Sequence, residues 1–202
     1  MKPFRQDSVV WVSRSIFGVL FLLTLGVFVQ QALVEEMPLH FVALNMLIVA
    51  IPLLIFFFAA GLLVEALEQH FMSHHLTRRT GAALRWMPRI GMILFAAFLS
   101  LFALDIFGQG YTVWETVVGL TMHLIPTFIL LGVLALAWRW PLVGGVTALL
   151  AATIFLLQFG NRSDTWFFYL TIIGPPVVIG LMFLADWWLR KEVDSNQISQ
   201  AG

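Results

Sequence analysis

Three ionisable side chains stand in an otherwise apolar stretch, FALDIFGQGYTVWETVVGLTMHLIP: Asp105, Glu115 and His123. In a helix, Glu115, Gly119 and His123 form an i, i+4, i+8 row, and Asp105 faces back towards it across a short link. An imidazole that titrates near neutral pH beside carboxylates suits a proton relay or a polar intramembrane site. Pro126, three residues after His123, removes a backbone hydrogen bond, bends the helix and frees the carbonyl of Met122. A structural reading competes with this one. Glu115 lies in the first turn of its helix, where a carboxylate complements the positive end of the macrodipole. Asp105 and Glu115 would then be hydrated at the helix ends, and His123 hydrogen-bonded between helices. Both readings stay open at this level.

Other chemistry is weakly represented. His70, His74 and His75 follow Glu65 and Glu68, and His70 with His74 has the spacing of a helical metal pair. There is no HExxH, and a closed site needs ligands from elsewhere, so no metal is expected. A polar, partly helical segment at an anionic leaflet, with Arg78 and Arg79 reaching phosphates, is the preferred reading. The chain has no cysteine, which removes disulfides, thiolate catalysis and Cys-ligated metals. Bis-His haem needs paired intramembrane histidines, and only His123 is deep. Neither a phosphate loop nor a Gly-x-Ser-x-Gly elbow occurs, and Ser100 has no base nearby in sequence. No cofactor is expected and an enzyme is disfavoured. Glu65 and Asp186 lie near helix ends within reach of Arg89 and Arg190, as structural ion pairs that set helix depth. Asp186 and Arg190 have the favourable acid-before-base i, i+4 order. Asn45 and Gln158 are expected to hydrogen-bond between helices, and Gly144, Gly145, Gly174 and Gly180 to allow close helix approach.

The elements that must position these groups follow from composition. Of 202 residues, 60% are hydrophobic and 11% charged, against about half and a quarter in soluble domains. Too little polar surface remains to cover a water-soluble globule, so lipid or another helix must solvate most side chains. Crossing roughly 30 Å of hydrocarbon takes about 20 helical residues, since backbone groups in lipid must be satisfied internally. The expected segments are Val9–Val29, Phe41–Ala66, Arg89–Phe107, Trp114–Ala137, Leu142–Phe159 and Trp166–Leu189. The expectation is an all-α polytopic membrane protein of six transmembrane helices in three hairpins.

Charge orients it. With six crossings, Lys2, Arg5, Arg14, Arg78, Arg79, Arg85, Arg89, Arg139, Arg190 and Lys191 share one side, leaving Arg162 alone of the eleven basic residues on the other. By the positive-inside bias both termini are cytoplasmic, in a cell membrane. The basic, apolar N-terminus resembles a signal peptide but reads as an uncleaved first span, because its apolar run is long and lacks a small-x-small site. Trp11, Trp86, Trp138, Trp140, Trp187 and Trp188 group near the basic boundary, and Tyr111, Trp114 and Trp166 near the other, as interfacial anchors do. Trp11-x-x-Arg14 with Trp86-x-x-Arg89, and Ile51-Pro52 with Ile125-Pro126, hint at hairpin duplication, with chance as the alternative.

From Arg85 to about Arg190 the chain resembles a family of small, uncharacterised bacterial multi-span membrane proteins, a domain of unknown function. The resemblance is carried by Arg85-Trp86, Arg89-Ile90, Leu101 to Asp105, Trp114-Glu115, His123-Leu-Ile-Pro126, Ala137-Trp138-Arg139-Trp140 and Ile179-Gly180 to Asp186-Trp187. It implies four spans and no particular activity. The expected organisation is a two-span hairpin with a basic loop (1–84), a four-span domain (85–190) and a polar disordered tail (191–202). Two functions remain: a non-enzymatic accessory or assembly subunit acting through helix contacts, or a small transporter or proton-linked carrier using His123. The expected partners are the lipid bilayer and another membrane protein or a second copy. Without a basic excess, nucleic acid is not expected.

Overall fold

The computed structural model describes residues 4–73, 76–160 and 166–199. Among these, six helices are long and apolar enough to cross a membrane, and there is no strand. This is an all-α, multi-pass membrane protein in contact with the lipid bilayer. The helices are α1 (Phe4–Val34), α2 (Leu39–Ser73), α3 (Arg78–Leu101), α4 (Val113–Arg139), α5 (Pro141–Phe159) and α6, which opens as Trp166–Phe168 and ends as Gly174–Ser199.

Two boundaries differ from expectation. The stretch Leu67 to Pro88, expected as a connecting loop with only part of it helical, is largely helix: α2 runs on to Ser73 and α3 starts at Arg78. Thr77 caps α3, its side chain accepting from the backbone N–H of Thr80, so helix is satisfied where the hydropathy has already fallen. The expected start at Arg89 marked where apolar residues resume, not where backbone hydrogen bonding begins. At the other end, α6 stays helical to Ser199, into the stretch expected as a disordered tail.

Local chemistry explains the remaining breaks. Between α3 and α4 a 3₁₀ turn, Phe102–Ile106, leads into a link where Gly108 and Gly110 adopt φ of 97° and 73°, which only glycine takes without strain. Trp140 closes α4 and Pro141 opens α5 at its first turn, where the missing N–H costs nothing. In α6, Tyr169–Ile173 forms a π turn in which the Gly174 N–H reaches the carbonyl of Tyr169. Pro175 and Pro176 follow and have no N–H to offer the carbonyls behind them, which favours the wider turn there.

Helix α6 is the hub, packing on α2, α3 and α5, while α4 packs on α3 and α5, and α1 packs mainly on α2 and meets α6 where the Phe28 and Phe167 rings stack at 4.9 Å. Glycines set the closest approach. A Cβ on Gly145 would stand 2.7 Å from Leu184 and 3.1 Å from the carbonyl oxygen of Gly180, and one on Gly180 would meet the carbonyl oxygen of Gly145 at 3.1 Å. Gly144 and Gly174 likewise admit Ala137 and Phe56. All four glycines expected at close approaches are found there. Small residues let backbones pack where lipid removes any hydrophobic drive between helices. Ile55, Met92, Phe95, Leu130, Ile179 and Phe183 fill the core around α6, and a second cluster at the basic end contains Ala66, Leu84, Met182 and Leu189.

Candidate functional site

At the α3–α4 turn, Thr112 and Glu115 form a reciprocal capping box. The Glu115 carboxylate accepts from the Thr112 backbone N–H and hydroxyl, both at 2.8 Å, while the Glu115 N–H donates to Thr112 Oγ1 at 3.4 Å. This satisfies donors that begin α4. Asp105 sits exposed in the 3₁₀ turn, and its backbone carbonyl accepts from Gln109 Nε2 at 3.2 Å. His123 Nδ1 lies 2.9 Å from the carbonyl oxygen of Gly119. A carbonyl only accepts, so Nδ1 carries the proton and, in the neutral ring, Nε2 is left as an acceptor. Among the described residues, no hydrogen bond or ion pair joins Asp105, Glu115 and His123.

The register of α4 adds something the sequence row did not. Thr127, Leu130, Leu134 and Ala137 are its buried positions, and stepping four residues back from Thr127 reaches His123. His123 therefore continues the bundle-facing stripe of α4 and yet is exposed. Thr127 still reaches α3, with Oγ1 3.4 Å from the carbonyl of Ala96. One turn further out His123 is uncovered, although Gly119, a turn beyond it, packs against Ile106.

The strongly bonded polar groups lie at the opposite, basic end. Glu65 is 2% exposed on α2. Its carboxylate accepts from Arg14 Nε at 3.0 Å and Nη2 at 3.2 Å, from the Thr80 hydroxyl at 2.7 Å and from Gln69 Nε2 at 3.3 Å. Gln69 also donates to Thr80 at 3.0 Å and accepts from the Thr77 N–H at 2.9 Å. One carboxylate thus ties the start of α1, the end of α2 and the cap of α3. A buried charge is tolerated when it is paired and its lone pairs are occupied, and here both conditions hold.

A second pair closes the hub. Arg89 and Asp186 are both buried, with Nη1 3.3 Å from Oδ2, across α3 and α6. Arg89 also donates to the Arg85 carbonyl, and its guanidinium lies 5.9 Å from the Trp138 ring centre and 5.7 Å from that of Phe183. Glu65, Asp186 and Arg89 are thus ion-paired residues, but Arg14 is the partner of Glu65, and Asp186 reaches across 97 positions of chain to Arg89. The side chain of Arg190 lies outside the description. Gln69, Thr77 and Thr80 were missed in sequence because they sit in the supposed loop. The available signal was Glu65 and Gln69 at i, i+4, presenting two polar groups on one face of an apolar helix.

Among the described residues no cluster of His, Asp and Glu could hold a metal ion, and His74 and His75 lie outside them. The ring of His70 packs edge-on against Trp188. Asn45 donates to the carbonyl of Phe41 on its own helix rather than between helices, at 3.0 Å.

The comparisons with known proteins identify a family without an assigned activity. Residues 76–195 match the profile of a family described as "Domain of unknown function (DUF7670)", and the chain belongs to that family. The match covers α3 to α6 and includes Thr77, Thr80, Arg89 and Asp186, whereas α1, with Arg14, and α2, with Glu65, precede it. No curated protein and no solved structure matches the chain.

Proposed function

We propose that this protein is a non-enzymatic accessory or assembly subunit of a bacterial inner membrane, acting through helix contacts with another membrane protein or a second copy of itself. The supporting observation is the uneven coverage of its helices. The central windows of α1 and α4 are each only 11% buried, against 56% for α6. Helix α1 rests mainly on α2, secured by the Arg14–Glu65 pair and by Phe17 over Gly61, and touches α6 through the Phe28–Phe167 ring stack. The buried charges at the basic end, Glu65, Arg89 and Asp186, join helices to one another. Both termini are assigned to the cytoplasm, because Arg14, Arg78, Arg79, Arg85, Arg89 and Arg139 belong to one end of the bundle.

The chain contains no cysteine, so single-cysteine scanning needs no background removal. Cysteines at Leu23 on α1 and Ile129 on α4, both exposed, are expected to give cross-linked adducts in native membranes, and one at exposed Leu181 on α6 is not. Equal yields at all three positions, or none, would remove the proposal.

A second reading, a small proton-linked carrier, rests on the exposure of His123 on the bundle-facing stripe of α4. It requires a proton flux in reconstituted vesicles that His123→Ala abolishes.

A further inference from the structure

Besides the ion pairs, the seam between α1, α2 and α3 contains a cleft of about 450 Å³. Its walls are Phe17, Phe57, Phe58, Leu62 and Met87, and Arg14 and Glu65 stand at one end. That volume lies in the range of small-molecule sites, which are mostly apolar with a few placed polar groups. The cleft is also polarised along the membrane normal. From Glu65 to Phe57, α2 rises about 12 Å, close to the roughly 15 Å hydrocarbon depth of one leaflet. The polar end faces the basic side and the aromatic end the midplane.

The charge at the mouth exceeds what Glu65 neutralises. Arg14 is half-exposed, and its Nε and Nη2 are spent on Glu65, while Nη1 makes no hydrogen bond among the described residues. Arg79 is exposed one turn before Ala83, the first residue of α3 to line the cleft, and Arg78 is exposed beside it. A half-neutralised guanidinium and two further cations above an apolar slot one leaflet deep match an amphiphile with a negative head.

We propose that this cleft binds an anionic phospholipid of the basic-side leaflet, its phosphate on Arg79 and Arg14 Nη1 and an acyl chain among Phe17, Phe57, Phe58 and Met87. The lipid fills the gap left because α1 packs on α2 and not on α3. It makes α1 part of a protein–lipid unit rather than a loosely attached span. This inference does not depend on the accessory role proposed above.

The test is retention of lipid by the full chain, purified from vesicles of phosphatidylglycerol and phosphatidylcholine and examined by native mass spectrometry. Phosphatidylglycerol should be retained preferentially. Arg79→Gln, which touches no packed contact, should cut that preference roughly fivefold, the effect of one cation at a lipid surface. Ala83→Phe, which fills the slot, should remove the retained lipid, whereas Arg139→Gln, at the same end of the bundle on α4, should leave the preference intact. Equal retention of both lipids would overturn the proposal. So would equal effects of Arg79→Gln and Arg139→Gln, which would mean diffuse surface charge, or full retention in Ala83→Phe, which would place the lipid elsewhere.

Discussion

Asp186→Asn isolates the energetics of the α3–α6 junction. The change keeps the shape of the side chain and removes its charge, leaving the Arg89 guanidinium, 5% exposed for the residue as a whole, without its counter-ion. Removing one partner of a buried pair costs about 3–5 kcal/mol, because the remaining charge is desolvated and uncompensated. Contacts of Arg89 with the Arg85 carbonyl and with the Trp138 and Phe183 rings survive, which argues for the lower half of that range. At about 2–4 °C per kcal/mol for a chain of this size, the melting temperature in detergent should fall by about 6–16 °C. The informative partner is the double variant Arg89→Leu with Asp186→Leu. Replacing a buried pair with apolar residues is often neutral, so the double variant should recover much of the loss, and the two single losses should not add. A melting temperature for Asp186→Asn within error of the parent, or a double variant at the sum of the singles, would refute the view that the two charges depend on each other.

Cysteines replacing Phe17 and Gly61 should form a disulfide, since a Cβ on Gly61 would lie 3.0–3.4 Å from the Phe17 ring and Cβ, and Glu65→Leu should lower that yield in non-reducing gels by releasing Arg14. Gly180→Leu should destabilise the chain by about 1–3 kcal/mol or prevent assembly, because its Cβ alone would stand 2.9 Å from Leu149 and 3.1 Å from the Gly145 carbonyl; thermal melts read this directly. Thr112→Ala should cost about 1 kcal/mol by opening the capping box, with faster amide exchange confined to the first turn of α4. His123→Ala, by contrast, should leave the melting temperature nearly unchanged, because the exposed ring bonds only to its own helix; a large drop would mean that it packs against something.

Much of the architecture is legible in composition and order. A run such as Phe41 to Ala66 has to be helical in lipid, and tryptophans near the ends of other runs, such as Trp86, Trp114 and Trp166, mark where water begins. Gly145 and Gly180 are legible as close contacts because small residues in apolar helices have few other uses. The candidate site is less so. Helical spacing alone aligned Glu115 with His123, but Thr112 holds the Glu115 carboxylate at the helix start, a local capping contact that the i, i+4 row does not express. The polar residues Gln69, Thr77 and Thr80 looked like loop because hydropathy measures the solvent of a segment and not its backbone hydrogen bonding. They became a bonded network only once α3 began at Arg78, about three turns before its apolar run.

By itself, then, the sequence determined a six-helix membrane protein, its charge asymmetry and the small residues that bring α5 and α6 together, because lipid imposes length, polarity and packing rules that act locally along a chain. Only the tertiary structure decided which charges meet. Glu65 finds Arg14 at a separation of 51 residues, and Asp186 finds Arg89 at 97, because antiparallel packing brings helix ends of the same side together whatever their distance in sequence. It also decided that α1 leans mainly on α2 and leaves a cleft beside α3, and that His123 lies exposed on the bundle-facing stripe of α4 between packed Gly119 and Thr127.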